Sequence, residues 1–187
     1  MSDDAGYRDY LKSRSKLGLI YRRFWLYPAV DRYLSGKTLD VGCGIGDFLK
    51  FRPNTFGVDV NPTLVDWCRA QGLDAELVMD DHMSFNDKSF ESVIMDNVLE
   101  HVVDPHDLLS EVHRVLMTSG NLIVGVPGKK GFLHDPDHKV FYNACQLKDA
   151  ICRAGFEMMK VIHMPFKCKY FDKFLRQYCI YGIFRRV

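Results

Sequence analysis

Short apolar runs alternate with amphipathic stretches along most of the chain. The apolar runs predict strands at Thr38–Val41, Thr55–Val58, Ala75–Met79, Ser92–Met95, Asn121–Val126, Glu157–His163 and Cys179–Arg185. Apolar positions at helical spacing between them predict helices at Asp47–Phe51, Thr63–Gln71, Pro105–Met117 and Ala144–Ala154. This alternation favours an α/β fold, with a mostly parallel sheet and helices on both faces. No helix is expected between the last two strands, which predicts an antiparallel edge.

Two features punctuate this pattern. A further helical stretch is predicted at 7–34, where Pro28 is expected to break or kink the helix. The helix that starts at Pro105 is expected to end through Thr118-Ser119-Gly120, with the glycine as its stop signal. With 187 residues, of which 47% are hydrophobic and 26% charged, the chain has the size and composition of one globular domain.

A glycine-rich turn follows the first predicted strand, in the sequence Asp40-Val41-Gly42-Cys43-Gly44-Ile45-Gly46-Asp47. Glycine permits unusual backbone angles there and lets a ligand lie directly on the main chain. A dinucleotide fingerprint would place its third glycine at position 47, where this chain has an aspartate. We therefore expect a ligand without phosphates, with Asp40 serving a cationic amino-acid end.

Asp59 ends the second predicted strand, nineteen residues after Asp40. In this architecture an acid at that position accepts hydrogen bonds from both hydroxyls of a ribose. An aspartate there could instead cap the helix that begins near Pro62. Beside a glycine turn, the ribose contact is the favoured interpretation.

Together, these segments resemble the class I S-adenosylmethionine-dependent methyltransferases, from about Thr38 to the C-terminus. The resemblance implies a Rossmann-like, seven-stranded, mostly parallel sheet whose last strand is antiparallel, and S-adenosyl-L-methionine as the cofactor. Thr118 and Ser119 depart from the Pro-Gly that is common in the family, in a turn remote from the cofactor. The cofactor contacts that the resemblance implies are Asp40, Gly42, Cys43, Gly44, Gly46, Asp59, Val60, Asp80, Asp81 and Asn97, with Asp80 and Asp81 near the adenine amine.

A narrower resemblance concerns Val126-Pro127-Gly128, the segment 135–142 and the basic, aromatic N-terminal helix. These look like methyltransferases encoded with bacterial surface-polysaccharide pathways, which implies a hydroxyl of a saccharide or glycolipid precursor as the acceptor. Two alternatives stay open: a methyltransferase of a quinone or lipid precursor, and a cofactor-binding module without catalysis. Within one domain, we expect 1–37 to form a helical cap, 38–127 the cofactor-binding core, and 128–187 an acceptor loop with the C-terminal strands.

Histidines fall in the predicted loops at the cofactor end of the sheet. A hydroxyl acceptor benefits from a general base whose pKa is near the working pH. Within His134-Asp135-Pro136-Asp137-His138, we predict His138 as that base and Asp137 as its orienting or substituting partner. His101 is the next candidate and is otherwise a structural residue. The same segment has the residue types of a divalent metal site, but its proline and the lack of a further ligand argue against one, so no metal is predicted.

Charge is segregated along the chain although the net charge is only +1. Residues 1–37 carry +4, residues 38–118 carry −10, and residues 119–187 carry +7. Cations alternate with aromatics at 167–176, which predicts contact with an anionic membrane or a lipid-linked acceptor, or else a solvated face. No nucleic-acid-binding motif accompanies the acidic middle, so nucleic acid is not expected. Six cysteines without a Cys-x-x-Cys pair, no signal-peptide pattern and no apolar run of ~20 residues predict a cytoplasmic protein.

Overall fold

The computed structural model describes residues 16–79, 82–166 and 174–187, and a seven-stranded sheet is the centre of this described part. The strands are β1 Thr38–Val41, β2 Thr55–Asp59, β3 Ala75–Leu77, β4 Phe90–Asp96, β5 Leu116–Pro127, β6 Phe156–Met164 and β7 Cys179–Arg186. The helices are α1 Lys16–Tyr21, α2 Tyr27–Asp31, α3 Asp47–Phe51, α4 Pro62–Ala70, α5 His106–Val115, α6 Lys129–Phe132 and α7 Ala144–Arg153. A π-helical turn, Arg22–Leu26, joins α1 to α2, and a 3₁₀ turn, Leu99–His101, follows β4.

The strand order across the sheet is β3-β2-β1-β4-β5-β7-β6. Neighbours from β3 to β5 pair in parallel, whereas β7 pairs antiparallel with both β5 and β6. The predicted α/β fold, with a mostly parallel sheet and an antiparallel last strand, is confirmed. Because parallel strands end at the same edge, the turns after β1, β2, β4 and β5 gather there, where open α/β sheets bind ligands.

Both faces of the sheet are covered, as the alternation of predicted strands and helices indicated. Consecutive residues of β4 point to opposite faces: Val93 belongs to a buried cluster that includes residues of α5 and α7, and Ile94 to a second cluster that includes residues of α2 and α3. The second cluster contains Tyr27, whose ring meets the edge of Phe48 with centroids 5.1 Å apart. The N-terminal helical segment therefore packs directly on the sheet.

Pro28 does not break the N-terminal helix. The described part of the predicted 7–34 helix runs from Lys16 to Asp31, and residues 7–15 lie outside the described ranges. Pro28 sits in the first turn of α2, directly after the wider turn Arg22–Leu26. A π-helical turn shifts the hydrogen-bond pattern by one residue, so the missing N–H of proline is accommodated without ending the helix.

The predicted end of the fifth helix is wrong. The helix ends at Val115, and the chain enters β5 at once with Leu116. Thr118-Ser119-Gly120 lies inside this long strand, where the pairing with β4 jumps from Leu116 to Asn121. Ser119 takes a φ of 63°, and a β-carbon on Gly120 would lie 2.8 Å from the carbonyl oxygen of Met117. Gly120 therefore permits the irregular backbone within the strand and does not end the helix.

Candidate functional site

A cavity of about 840 Å³ opens at the carboxyl ends of β1, β2, β4 and β5. This volume is within the usual range for small-molecule sites. Its walls include the glycine turn, the start of α4, the segment after β4, the loop after β5 and the N-terminal helix. Of the residues predicted to act here, the lining contains Gly42, Gly44, Asp59, Val60, Asn97, Asp137 and His138. Members of the two predicted sets, one for the cofactor and one for the acceptor, therefore line one cavity.

The glycine turn depends on left-handed backbone angles. Gly42, Gly44 and Gly46 have φ values of 73°, 57° and 78°. A β-carbon on Gly42 would lie 2.5 Å from Val98 Cγ2, so that position has no room for a side chain. Gly42 and Gly44 line the large cavity, whereas a β-carbon on Gly46 would meet Leu73. Gly46 thus shapes the turn from behind.

Cys43 and Asp40 also lie on the far side of the turn. The Cys43 side chain is buried and lines a small cavity of about 40 Å³, together with Gly42 and Gly44. Asp40, which is 4% exposed, borders the same small cavity. Burial, together with the negative charge of Asp96, raises the pKa of Asp40 well above its ordinary value. A cationic group close to the turn would counter that unfavourable negative environment.

Asp59 links β2 to the glycine turn. One carboxylate oxygen accepts the Gly44 N–H at 2.9 Å, and the other accepts the Asn61 N–H at 2.9 Å. Asp59 does not cap α4, since the Asn61 side chain does so by accepting from Thr63 N and Leu64 N. Each Asp59 oxygen has a second lone pair. The carboxylate is thus held by the main chain and retains acceptor capacity toward the cavity that it lines.

A charged cluster that the sequence did not reveal ties the N-terminal helix to the end of β4. Arg22 Nη2 lies 2.6 Å from Asp96 Oδ2, and Arg22 Nε donates to the Tyr27 hydroxyl at 2.9 Å. The Tyr181 hydroxyl donates to Asp96 Oδ1 at 2.6 Å, and Asn97 Nδ2 donates to the same oxygen at 3.1 Å. Arg22, Asp96, Asn97 and Tyr181 all line the large cavity. The N-terminal helix is therefore part of the wall of the site.

The loop after β5 brings His138 to the opposite wall. His138 Nδ1 lies 2.9 Å from the Phe132 carbonyl oxygen, and its ring stacks on the Phe132 ring with centroids 5.3 Å apart. A carbonyl oxygen can only accept, so Nδ1 carries the hydrogen and Nε2 of the neutral imidazole keeps its lone pair. Nε2 lies 3.8 Å from Glu100 Oε1 and 4.0 Å from Asp135 Oδ2.

Asp137 is placed differently from the orienting role predicted for it. Its side chain is exposed, its N–H donates to Asp135 Oδ1, and its carbonyl oxygen lies 3.3 Å from His101 Nδ1. In the described ranges no hydrogen bond or ion pair joins the Asp137 carboxylate to His138. The nearest carboxylate to the imidazole is that of Glu100.

Residues 39–124 match the family described as a methyltransferase domain. The matched segment is just under half of the chain and contains the glycine turn and Asp59. Among curated proteins, the chain is similar to an uncharacterized protein of Methanocaldococcus jannaschii, with 32% identity over 118 residues that cover 59% of this chain and 51% of that protein. It is also similar to methyltransferase GfsG of Streptomyces halstedii, with 28% identity over 138 residues covering 67% and 50%. The chain thus spans about half the length of these curated relatives.

Solved methyltransferase structures share the fold. A S-adenosylmethionine-dependent methyltransferase of Thermotoga maritima superposes with a TM-score of 0.76 at 21% identity, covering 97% of this chain and 98% of that one. Another from Aquifex aeolicus gives 0.71 at 18% identity and covers both chains fully. These matches show that the chain shares the fold of two proteins described as S-adenosylmethionine-dependent methyltransferases.

The residues of this chain fit that methyltransferase cofactor. Gly42 and Gly44 offer bare main chain to the cavity, and Asp59 offers acceptors that suit ribose hydroxyls. Asp47 stands where a dinucleotide site needs glycine, which agrees with a ligand that lacks phosphates. Asp80 and Asp81, predicted near the adenine amine, lie outside the described residues.

The structure bears on two further sequence features, the basic segment and the lack of a membrane-spanning run, only within the described residues. Of the basic, aromatic segment at 167–176, the structure describes only 174–176, and Arg176 lines the cavity. None of the helices in the described ranges combines the length and the apolar character needed to cross a bilayer.

The sequence missed Arg22, Asp96, Glu100 and Tyr181 as site residues. Asp96 and Glu100 carry a usable signal, since both are acids at or just beyond the end of the fourth strand, where ligands bind. Arg22 and Tyr181 carry none, because their approach depends on how the N-terminal helix and β7 pack on the sheet.

Proposed function

We propose that the protein transfers a methyl group from S-adenosylmethionine to a hydroxyl of a small-molecule acceptor, a saccharide or glycolipid precursor. One observation carries the proposal: the glycine turn and Asp59 line the same cavity as His138, whose Nε2 keeps a free lone pair. Bound there, the cofactor supplies a methyl group on a positively charged sulfur. The protein has then to hold the acceptor in line and accept its proton.

On the cofactor side, the proposal gives each predicted residue a role. Gly42 and Gly44 accept the ligand against their main chain, and Asp59 accepts hydrogen bonds from the ribose hydroxyls. Asp40 provides negative charge behind the turn for the cationic amino-acid end. Cys43 and Gly46 support the turn, Val60 and Asn97 contact the cofactor, and Asp80 and Asp81 serve the adenine amine.

On the acceptor side, His138 takes the hydroxyl proton on Nε2 as the new carbon–oxygen bond forms. Its Nδ1–H is held by the Phe132 carbonyl, which fixes the tautomer that an acceptor of protons needs. Asp137, whose carboxylate is exposed beside the same cavity, remains the substituting partner.

A saccharide or lipid-linked acceptor is supported by the mixed character of the cavity mouth. Polar groups on Arg176, Gln177 and His134 line the cavity. Apolar side chains stand exposed beside them in sequence: Leu133 is 73% exposed and Phe174 is 56% exposed. Polar cavity residues with exposed apolar neighbours in sequence suit a sugar that carries a lipid, and the basic ends suit an anionic carrier or membrane surface.

A quinone or lipid precursor is the second candidate acceptor. It is favoured by a similarity to the ubiquinone/menaquinone biosynthesis C-methyltransferase UbiE of Desulfotalea psychrophila, with 28% identity over 113 residues that cover 55% of this chain and 46% of that protein. Leu26, Met83, Val102 and Leu108 give the cavity an apolar part that suits such a ring.

Two measurements test the proposal. Calorimetric titration with S-adenosylmethionine should show binding at one site per chain. Incubation with the cofactor and a panel of sugars, lipid-linked sugars and quinone precursors should then add one methyl group to an oxygen of the accepted compound, as read by mass spectrometry. Methylation on carbon of a quinone ring would favour the second candidate. Cofactor binding without methylation of any acceptor class would indicate a binding module instead.

A further inference from the structure

Glu100 is the most deeply buried carboxylate of the described residues, at 1% exposure. Among the described residues, neither of its oxygens has a hydrogen-bond partner. By contrast, buried Glu111 pairs with Arg114 and accepts the Met83 N–H. A buried carboxylate without partners is unfavourable, so Glu100 is suited to a ligand that the described residues do not supply.

Two imidazoles beside Glu100 are held in matching orientations. His138 Nδ1 lies 2.9 Å from the Phe132 carbonyl oxygen, and His101 Nδ1 lies 3.3 Å from the Asp137 carbonyl oxygen. Because both partners can only accept, both Nδ1 atoms carry hydrogen in the neutral rings and both Nε2 atoms keep a lone pair. Metal-binding histidines show this arrangement, in which the ring nitrogen that does not bind the ion donates to a backbone carbonyl.

The three side chains converge. One ligand atom each of Glu100, His101 and His138 lie within 4.8 Å of one another, and the two imidazole centroids are 4.8 Å apart. Ligands about 2.1 Å from a tetrahedral ion lie roughly 3.4 Å apart, so the largest separation in the cluster has to contract by about 1.4 Å to bind one. His101 is only half-buried and its hydrogen bond is long, which leaves room for that rotation.

We propose that Glu100, His101 and His138 bind a divalent metal ion of the zinc class. Two imidazole nitrogens and one carboxylate oxygen form the ligand set of catalytic zinc sites, which keep a position open for water or substrate. His101 and His138 line the large cavity, so the open position is accessible from it. This set differs from the one that the loop sequence at 134–138 suggested, since two of its three members precede α5.

Metal binding would change how the acceptor is activated, a consequence that rests on the proposed function. An acceptor hydroxyl next to the ion has a lowered pKa and loses its proton more readily. His138 then serves as a ligand, and the proton passes to the Asp135 carboxylate or to water. Asp135 is suitably placed, with Oδ2 4.0 Å from His138 Nε2.

The test is calorimetric titration of the full, untagged, chelator-treated protein with zinc chloride. We expect one equivalent to bind, and Glu100→Gln or His101→Ala to weaken that affinity by at least about 100-fold. His106→Ala is the matched control and should bind as the wild type does. His106 is exposed, and its Nδ1 lies 2.9 Å from Asp107 Oδ1. The His106→Ala variant therefore also measures how much zinc binds adventitiously at an exposed histidine.

A parallel titration with S-adenosylmethionine keeps the two proposals separable. If wild type and His101→Ala bind zinc equally while both bind the cofactor, the metal site is wrong and the proposed function stands. If the wild type binds zinc but not S-adenosylmethionine, the metal site stands and the proposed function is wrong. Should Glu100→Gln fail to fold, His101→Ala decides the question, because that side chain is not part of the core.

Discussion

The two walls of the cavity differ in how their polar groups are satisfied. On the cofactor side, both oxygens of Asp59 accept main-chain N–H groups, from Gly44 and Asn61. On the proposed acceptor side, Glu100 has no hydrogen-bond partner among the described residues, and His138 Nε2 lies 3.8 Å from it. The first wall is preorganised by the backbone. The second holds groups that a ligand, a proton or an ion can satisfy.

This contrast suits a site in which one wall binds the cofactor and the other activates the acceptor. A wall built from main-chain geometry can bind one invariant ligand with little reorganisation. A wall built from titratable side chains on a loop can adapt to a particular acceptor and supply chemistry to it. Substitutions on the two walls should therefore separate cofactor affinity from turnover.

The largest expected effect lies on the acceptor wall. His138→Ala should lower turnover by about 10²–10⁴, since it removes the group that activates the hydroxyl, while cofactor affinity stays nearly unchanged. Steady-state rates and calorimetric titration measure the two quantities, with His106→Ala as the control. Turnover at the wild-type rate would make the loop structural and His101 the next candidate. Loss of cofactor binding as well would show that His138 also contributes to cofactor binding, which contradicts the separate roles of the two walls.

Next in size is Gly44→Val on the cofactor wall. A side chain there should block the cofactor, reducing affinity by at least about 100-fold, and leave the sheet folded. Gly72→Val is a matched control, because Gly72 also has a left-handed φ, of 71°, and nothing lies within 4 Å of its β-carbon position. Both variants carry the backbone strain, but only Gly44→Val should lose binding in the calorimeter. Equal affinity in the two would show that the turn does not contact the ligand.

Asp59→Ala should have a smaller effect on the same wall. Leaving ribose hydroxyls unmatched weakens cofactor binding by about 1–3 kcal/mol. The control is Asp66→Ala, an exposed acid on α4. A folded Asp59→Ala protein with wild-type affinity would contradict the ribose assignment.

The sequence could predict that the glycine turn and Asp59 lie together, because they are close along the chain. The glycine turn and Asp59 lie within 20 residues, and strand–turn–helix connections of this kind are set by nearby residues. The bounds of β1 and α3 also agree with the prediction. By contrast, the irregular stretch at Thr118-Ser119-Gly120 was read as a helix end, since a glycine after a helical pattern is ambiguous.

The acceptor wall could be predicted only in part. His138 was found because a cluster of titratable residues in one loop is visible in sequence. Its meeting with Glu100, and that of Arg22 with Asp96, depends on how a loop after β5 and a helix before β1 approach the end of β4. Such contacts join distant segments, and no short-range pattern encodes them.

The smallest expected effect is on the binding of anionic membranes by the outer surface of the protein. If the acceptor is carried by an anionic membrane, the protein should sediment with anionic vesicles at low salt and less at physiological salt. Arg23→Ala, on the N-terminal helix beside the exposed Phe24 and Trp25, should weaken that binding by about 1 kcal/mol. Lys148→Ala, on α7 across the sheet, should not. Absence of vesicle binding at both salt concentrations would make the cations a solvated face.

The placement of β7 has a consequence for biosynthesis. It lies between β5 and β6 but follows both in the chain. During synthesis, β5 and β6 therefore emerge before the strand that pairs with both of them. The β5–β7 and β6–β7 hydrogen-bond ladders can form only after β7 has been synthesised. Nascent chains are thus exposed for that interval to pairing with a second copy through the unpaired edges of β5 and β6. Insertion of β7 should be a late folding step that covers these edges and so protects the chain from aggregation.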